Sequence, residues 1–187
     1  MYASRPLTQA SADAIRKWAA SQGFKTTLPA ADMHVTVAYS RTPMNGAAVP
    51  ATTDRLIAKS GKRTVEPLGD EGAVVLKFDS QELQARWSAY RKAGASWDYE
   101  NYTPHVTLTY DGTGVDLAGV QPFDGPIEMA AEKQEPLNVD KAADYKDAGE
   151  APTSKEAPPK PEQAAPKTLK QRAEEMLANA SKDIDLA

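Results

Sequence analysis

Apolar and polar positions run in two periods along the first two thirds of the chain, and the switches between them mark out the elements. Tyr2 to Leu7 reads as a strand that stops near Pro6. Ile15, Trp18 and Ala19 then recur at helical spacing up to Ser21, with Thr8 and Ser11 as candidate caps and Gly23 as the stop. Met33 to Ser40 returns to a strand pattern, and residues 41–53, with Pro43, Gly46 and Pro50, read as a loop. Arg55–Lys59, Arg63–Leu68 and Ala73–Phe78 read as strands punctuated by Gly61, Gly69 and Gly72. Asp79 and Glu82 form a capping box for a second helix, whose apolar face is Leu83, Trp87 and Tyr90 and whose stop is Gly94. His105–Tyr110 and Pro126–Ala130 are the last two strands.

The pattern contains a repeat. His34-Val35-Thr36 and His105-Val106-Thr107 stand 71 residues apart, and at the same offset Gly23 matches Gly94 and Tyr39 matches Tyr110. Each half therefore reads helix, glycine stop, then an H-x-T strand. Two copies are too few for a solenoid and predict one α+β domain of two lobes related by an approximate twofold axis. Each lobe is an antiparallel sheet with packed helices, and the two H-x-T motifs meet in a central groove.

Past Lys133 the composition changes to Ala, Lys, Glu and Pro, with Tyr145 the one aromatic residue. Such a segment buries too little apolar surface to offset its ordering entropy. The expected organisation is a domain over 1–132, a disordered linker over 133–166 and a tail over 167–187. In the tail, Thr168 and Gln171 cap a run of Leu169, Ala173, Met176, Leu177 and Ala180. That run reads equally as a helix that docks a protein partner and as a solvated end.

Charge and cysteine content narrow the chemistry. A net charge of −4 argues against a general grip on duplex DNA. No apolar run reaches the ~20 residues of a membrane span, so the expected location is the cytoplasm. With no cysteine and two histidines in 187 residues, a metal site is not expected, nor is any cofactor.

Both histidines are spent on one duplicated motif. In a strand, residues i and i+2 share a face, so each motif presents an imidazole beside a hydroxyl. Phosphodiester cleavage asks for a base, an acid and stabilisation of charge on phosphorus. Histidine titrates near pH ~6.5 and serves as either proton carrier. The threonine hydroxyls can donate to non-bridging oxygens. His34, Thr36, His105 and Thr107 are thus the candidate catalytic set. Tyr39 and Tyr110, at an odd offset from the histidines, are expected on the opposite strand face. Lys25 and Arg41 flank the first motif and are the nearest candidate phosphate cations.

The paired H-x-T motifs and their repeat resemble the two-histidine phosphoesterase superfamily. The stretches Trp18-Ala19 to Gly23-Phe24, Gly72-Ala73-Val74-Val75-Leu76 and Gly94-Ala95-Ser96-Trp97-Asp98-Tyr99 resemble more narrowly the phage anti-CBASS phosphodiesterases. Members of that family destroy the cyclic di- and trinucleotide signals of bacterial immunity. The resemblance implies a metal-independent attack of a ribose 2′-hydroxyl on the adjacent 3′–5′ phosphodiester, inside the host bacterium if the chain is phage-encoded. It also implies base stacking, for which Tyr2 and Trp97 are candidates, and a late glutamate, for which Glu132 is the candidate. Opening of RNA 2′,3′-cyclic phosphates, and non-catalytic nucleotide binding, stay open as alternatives.

Overall fold

The computed structural model describes residues 1–44, 48–59, 61–69 and 72–137. Most of the expected linker and the expected tail helix lie outside the described residues. Ten elements follow in order: β1 (Tyr2–Pro6), α1 (Gln9–Ser21), β2 (His34–Tyr39), β3 (Leu56–Ala58), β4 (Arg63–Leu68), β5 (Ala73–Phe78), α2 (Gln81–Lys92), β6 (His105–Thr109), β7 (Ile127–Met129) and β8 (Lys133–Glu135). Of the two expected caps for α1, Thr8 holds the end and accepts from the Ser11 amide. Ser11 is instead buried in the first turn, where its hydroxyl accepts from the Glu128 amide. At α2 the cap is Ser80, which accepts from the Leu83 amide, not Asp79. Gly23 and Gly94, at φ +91° and +97°, follow the two helices with the same left-handed turn.

Two three-stranded antiparallel sheets carry the repeat. One has the order β2-β1-β8 and the other β4-β5-β6. β3 pairs with β7, and Leu7 bridges to Met129, so β7 and β8 form one run along β1, interrupted at residues 130–132. The expected boundary at 132 therefore falls inside the sheet, because Lys133–Glu135 is the strand β8. Its side chains are all polar and give no apolar period; the ladder to Tyr2–Ser4 fixes it through the main chain.

β2 and β6 are edge strands of their sheets and lie beside each other at the centre. Each is braced by the other half. The Leu28 amide donates to Leu108 O at 2.8 Å, and the Tyr102 hydroxyl donates to Thr36 O at 2.9 Å. Val35, Val37, Val106 and Leu108 are fully buried below the motifs, with Ile15 and Leu83 from the helices. Burial of such a side chain contributes about 2 kcal/mol.

Both motif strands carry a bulge at the same repeat position. Ser4 faces Thr36 but Ala3 faces Ala38, which leaves Val37 extra; Val75 faces Thr107 but Val74 faces Thr109, which leaves Leu108 extra. A bulge shifts the alternation by one residue. Tyr39, expected on the opposite face from His34, consequently pairs with Tyr2 and packs against it beside Trp97.

Candidate active site

Each histidine opens its strand and is held the same way. His34 Nδ1 bonds Asp32 O at 2.7 Å, and His105 Nδ1 bonds Thr103 O at 2.9 Å. Asp32 ends a short 3-10 turn, and Thr103 precedes Pro104, which favours extended backbone before β6. A carbonyl accepts only, so Nδ1 is the protonated nitrogen of each ring. In the neutral imidazole the lone pair then sits on Nε2.

Strand β1 adds a third group. The Tyr2 hydroxyl lies 2.8 Å from His34 Nε2 and 2.9 Å from Thr36 Oγ1, and so bridges the two polar ends of the first motif. Its ring is 3% exposed and meets the imidazole edge-on. That burial leaves little of the ring for a base to stack on, and the polar contacts of Tyr2 are those to His34 and Thr36. Thr107 Oγ1 is buried and makes no hydrogen bond, an expensive state for a hydroxyl that a phosphate oxygen would relieve.

Two cavities flank the motifs. The smaller, about 180 Å³, is lined by Thr36, Lys77, Trp97, Tyr99, Thr103 and His105 among others, so it takes one residue from each motif. The larger, about 680 Å³, is lined by Tyr2, His34, Thr109, Tyr110 and Lys133 among others. Trp97 lines the smaller cavity. It meets Tyr102 at 5.8 Å between ring centroids, and Tyr102 in turn stacks on Trp87. Burial drives the Tyr102 phenol well above its ordinary pKa, so it stays a donor.

The remaining expected residues are placed elsewhere. Glu132 sits in the interruption between β7 and β8, and its carboxylate turns toward α2. Arg86 grips it at 2.8 and 2.7 Å, and the Tyr90 hydroxyl donates to it. A bidentate guanidinium is the strongest claim on a carboxylate, and it draws Glu132 away from both cavities. Burial first, then Glu132, pushes the Tyr90 phenol up to about 12. Arg41 is paired with Asp98 at 2.9 Å and lies over the Tyr39 ring. Lys25 lines a separate depression with Asp13, Arg16 and Phe24. Neither cation lines the cavities at the histidines.

Lys77, Tyr99 and Tyr102 were not anticipated at the site. Lys77 had a signal in the repeat, because it occupies the position equivalent to Pro6. Lys77 bonds Glu66 at 2.5 Å and holds that carboxyl below its usual range, with Thr64 assisting. Among the described residues, no three metal-ligating side chains converge, and no helix is long and apolar enough to cross a membrane.

Comparison with known proteins bears on the fold and on the family. A solved structure described as a phosphoesterase superposes with a TM-score of 0.50 over 68% of this chain and 82% of its own, at 14% identity, so the fold is shared. The anti-CBASS protein Acb1 of Enterobacteria phage T4 is 31% identical over 146 residues, which is 78% of this chain and 93% of the phage protein. Proteins of the same description from Sphingomonas paeninsulae and Caulobacter are 45% and 46% identical, but the chain spans only 22% and 20% of their length. The family profile described as "Anti-CBASS protein Acb1" matches residues 1–144, and the chain belongs to that family.

Proposed function

We propose that the chain is a metal-independent phosphodiesterase that opens cyclic di- and trinucleotide immune signals in the bacterial cytoplasm. The observation that carries this reading is the matched anchoring of the two histidines. Both Nδ1 atoms are committed to carbonyls, so Nε2 is the ring atom that would carry a transferred proton, with the Tyr2 hydroxyl 2.8 Å from that of His34. One imidazole takes the proton of a ribose 2′-hydroxyl as O2′ bonds to phosphorus. The other, protonated, gives its proton to the departing O5′ as the P–O5′ bond breaks. Each such group contributes typically ~10²–10⁴ in rate. Thr36 and Thr107 hold non-bridging oxygens, and the buried, unbonded Thr107 hydroxyl supports that role. Trp97 offers an aromatic surface to a base, worth ~1–3 kcal/mol when stacked.

Incubation with 3′,3′-cGAMP in EDTA tests the reading. The ring should be opened to a linear dinucleotide, seen by mass spectrometry, while a fully 2′-deoxy ring should bind and persist. Rapid opening of the deoxy ring would mean attack by water. Loss of turnover on chelation, restored by a divalent ion, would overturn metal independence. Turnover of RNA 2′,3′-cyclic phosphate ends alone would move the assignment to RNA processing.

A further inference from the structure

The two halves differ at the residue beside each histidine. The Cα partner of His34 across the ladder is Pro6, and the Cα partner of His105 is Lys77. These are the same position of the 71-residue repeat. Directly opposite residues share a face, so the Lys77 side chain leaves β5 on the side that bears His105. It lines the small cavity together with Thr36 and His105, and it is the one permanently charged residue among the described residues lining that cavity.

The ammonium is steadied sideways. Nζ lies 2.5 Å from Glu66 Oε2, while the other oxygen of Glu66 accepts from Thr64 Oγ1 at 2.6 Å. Glu66 engages one of three N–H donors. The Lys77 and Glu66 side chains are 29% and 43% exposed, and a pair so exposed adds little to stability. Stability alone gives no reason for a lysine here, whereas an anion at this cavity does.

We propose that Lys77 contacts a non-bridging oxygen of the substrate phosphate on the His105 side of the groove. The proposal rests on the reading above. It assigns the second half a phosphate cation that the first half, with Pro6, lacks at the equivalent position. Thr36, Thr107 and Lys77 then surround the phosphate with two hydroxyls and one ammonium, and Glu66 keeps the ammonium from swinging into solvent.

The test compares wild type with Lys77→Met, Lys77→Arg and Glu66→Gln, using 3′,3′-cGAMP turnover and, separately, titration with inorganic phosphate followed by histidine side-chain NMR. Lys77→Met should lower kcat/KM by about ten- to a hundredfold, the range of a charge-assisted hydrogen bond. It should weaken phosphate binding in parallel with an unchanged melting temperature. Lys77→Arg should recover most of both, and Glu66→Gln should fall between. Wild-type kcat/KM and wild-type phosphate affinity in Lys77→Met would overturn the assignment. So would a loss tracked entirely by a fall in melting temperature. If wild type opens no phosphodiester at all, the functional reading falls, and the phosphate titration still decides the role of Lys77.

Discussion

The first and second halves of the domain are alike where protons would be handled and unlike where they are supported. His34 and His105 share the same carbonyl anchor, the same threonine two residues on and the same bulge one residue later. Around them the halves diverge. Tyr2 reaches the first motif, but Ala73 stands at its repeat position; Pro6 is matched by Lys77. The helices diverge too. α1 presents Ala12, Ile15 and Ala19 to the core, where α2 presents Leu83, Arg86 and Tyr90. One helix is seated by apolar packing and the other partly by a buried ion pair to Glu132. A twofold scaffold can thus keep its reactive centre symmetric and still treat the two sides of a substrate differently.

The symmetric part should yield the largest effect. His34→Ala and His105→Ala should each lower kcat at least ~10²-fold while both proteins keep their circular dichroism spectra. A folded single variant with more than a tenth of wild-type activity would break the equivalence of the pair. Next comes the helix contrast. Glu132→Ala strands Arg86 under α2 and should cost about 3–5 kcal/mol in urea unfolding. Ile15→Ala should cost about 2–5 kcal/mol through a cavity. Only the first loss should shrink when the partner charge is removed as well, in Arg86→Met/Glu132→Ala.

Tyr2→Phe sharpens the contrast between motifs at a smaller scale. Loss of one hydrogen bond at His34 should lower kcat about three- to tenfold and alter the pH–rate profile, with melting temperature nearly constant. An unchanged profile would make the phenol a packing residue. The smallest effect is alkaline. The Tyr90 phenol, ordinarily near 10, is raised to about 12 in the fold, so the native state holds its proton longer than the unfolded chain. Its contribution is complete below pH 10 and is lost as pH rises through 12. Tyr90→Phe should flatten the stability curve there, and no such loss is expected from α1, which has Ala19 at that position.

Much of this was legible because it is local. Strand alternation, glycine stops and the doubled H-x-T motif are properties of neighbouring residues, and the strands Arg63–Leu68 and Ala73–Phe78 have the bounds their pattern predicts. What escaped depends on partners distant in sequence. The extra residues Val37 and Leu108 leave no mark on the apolar pattern, yet Val37 turns Tyr39 to the face of His34. Lys133–Glu135 looks like solvated chain, and only the free edge of β1 makes it a strand. Glu132 reads as a groove residue until α2 brings Arg86 against it. Ser80 displaced Asp79 as cap by one position, a difference set by where the helical dihedrals begin.

Tyr2 and Glu135 are opposite each other across the β1–β8 ladder, so the first and last strands of the described residues adjoin. A module whose ends adjoin can be spliced into a longer polypeptide without stretching its interior. The matching stretch makes up 22% of the Sphingomonas protein and 20% of the Caulobacter one. In architectural terms the hydrogen bonds of the β1–β8 ladder are a clasp that ties the two ends of the described sheet together.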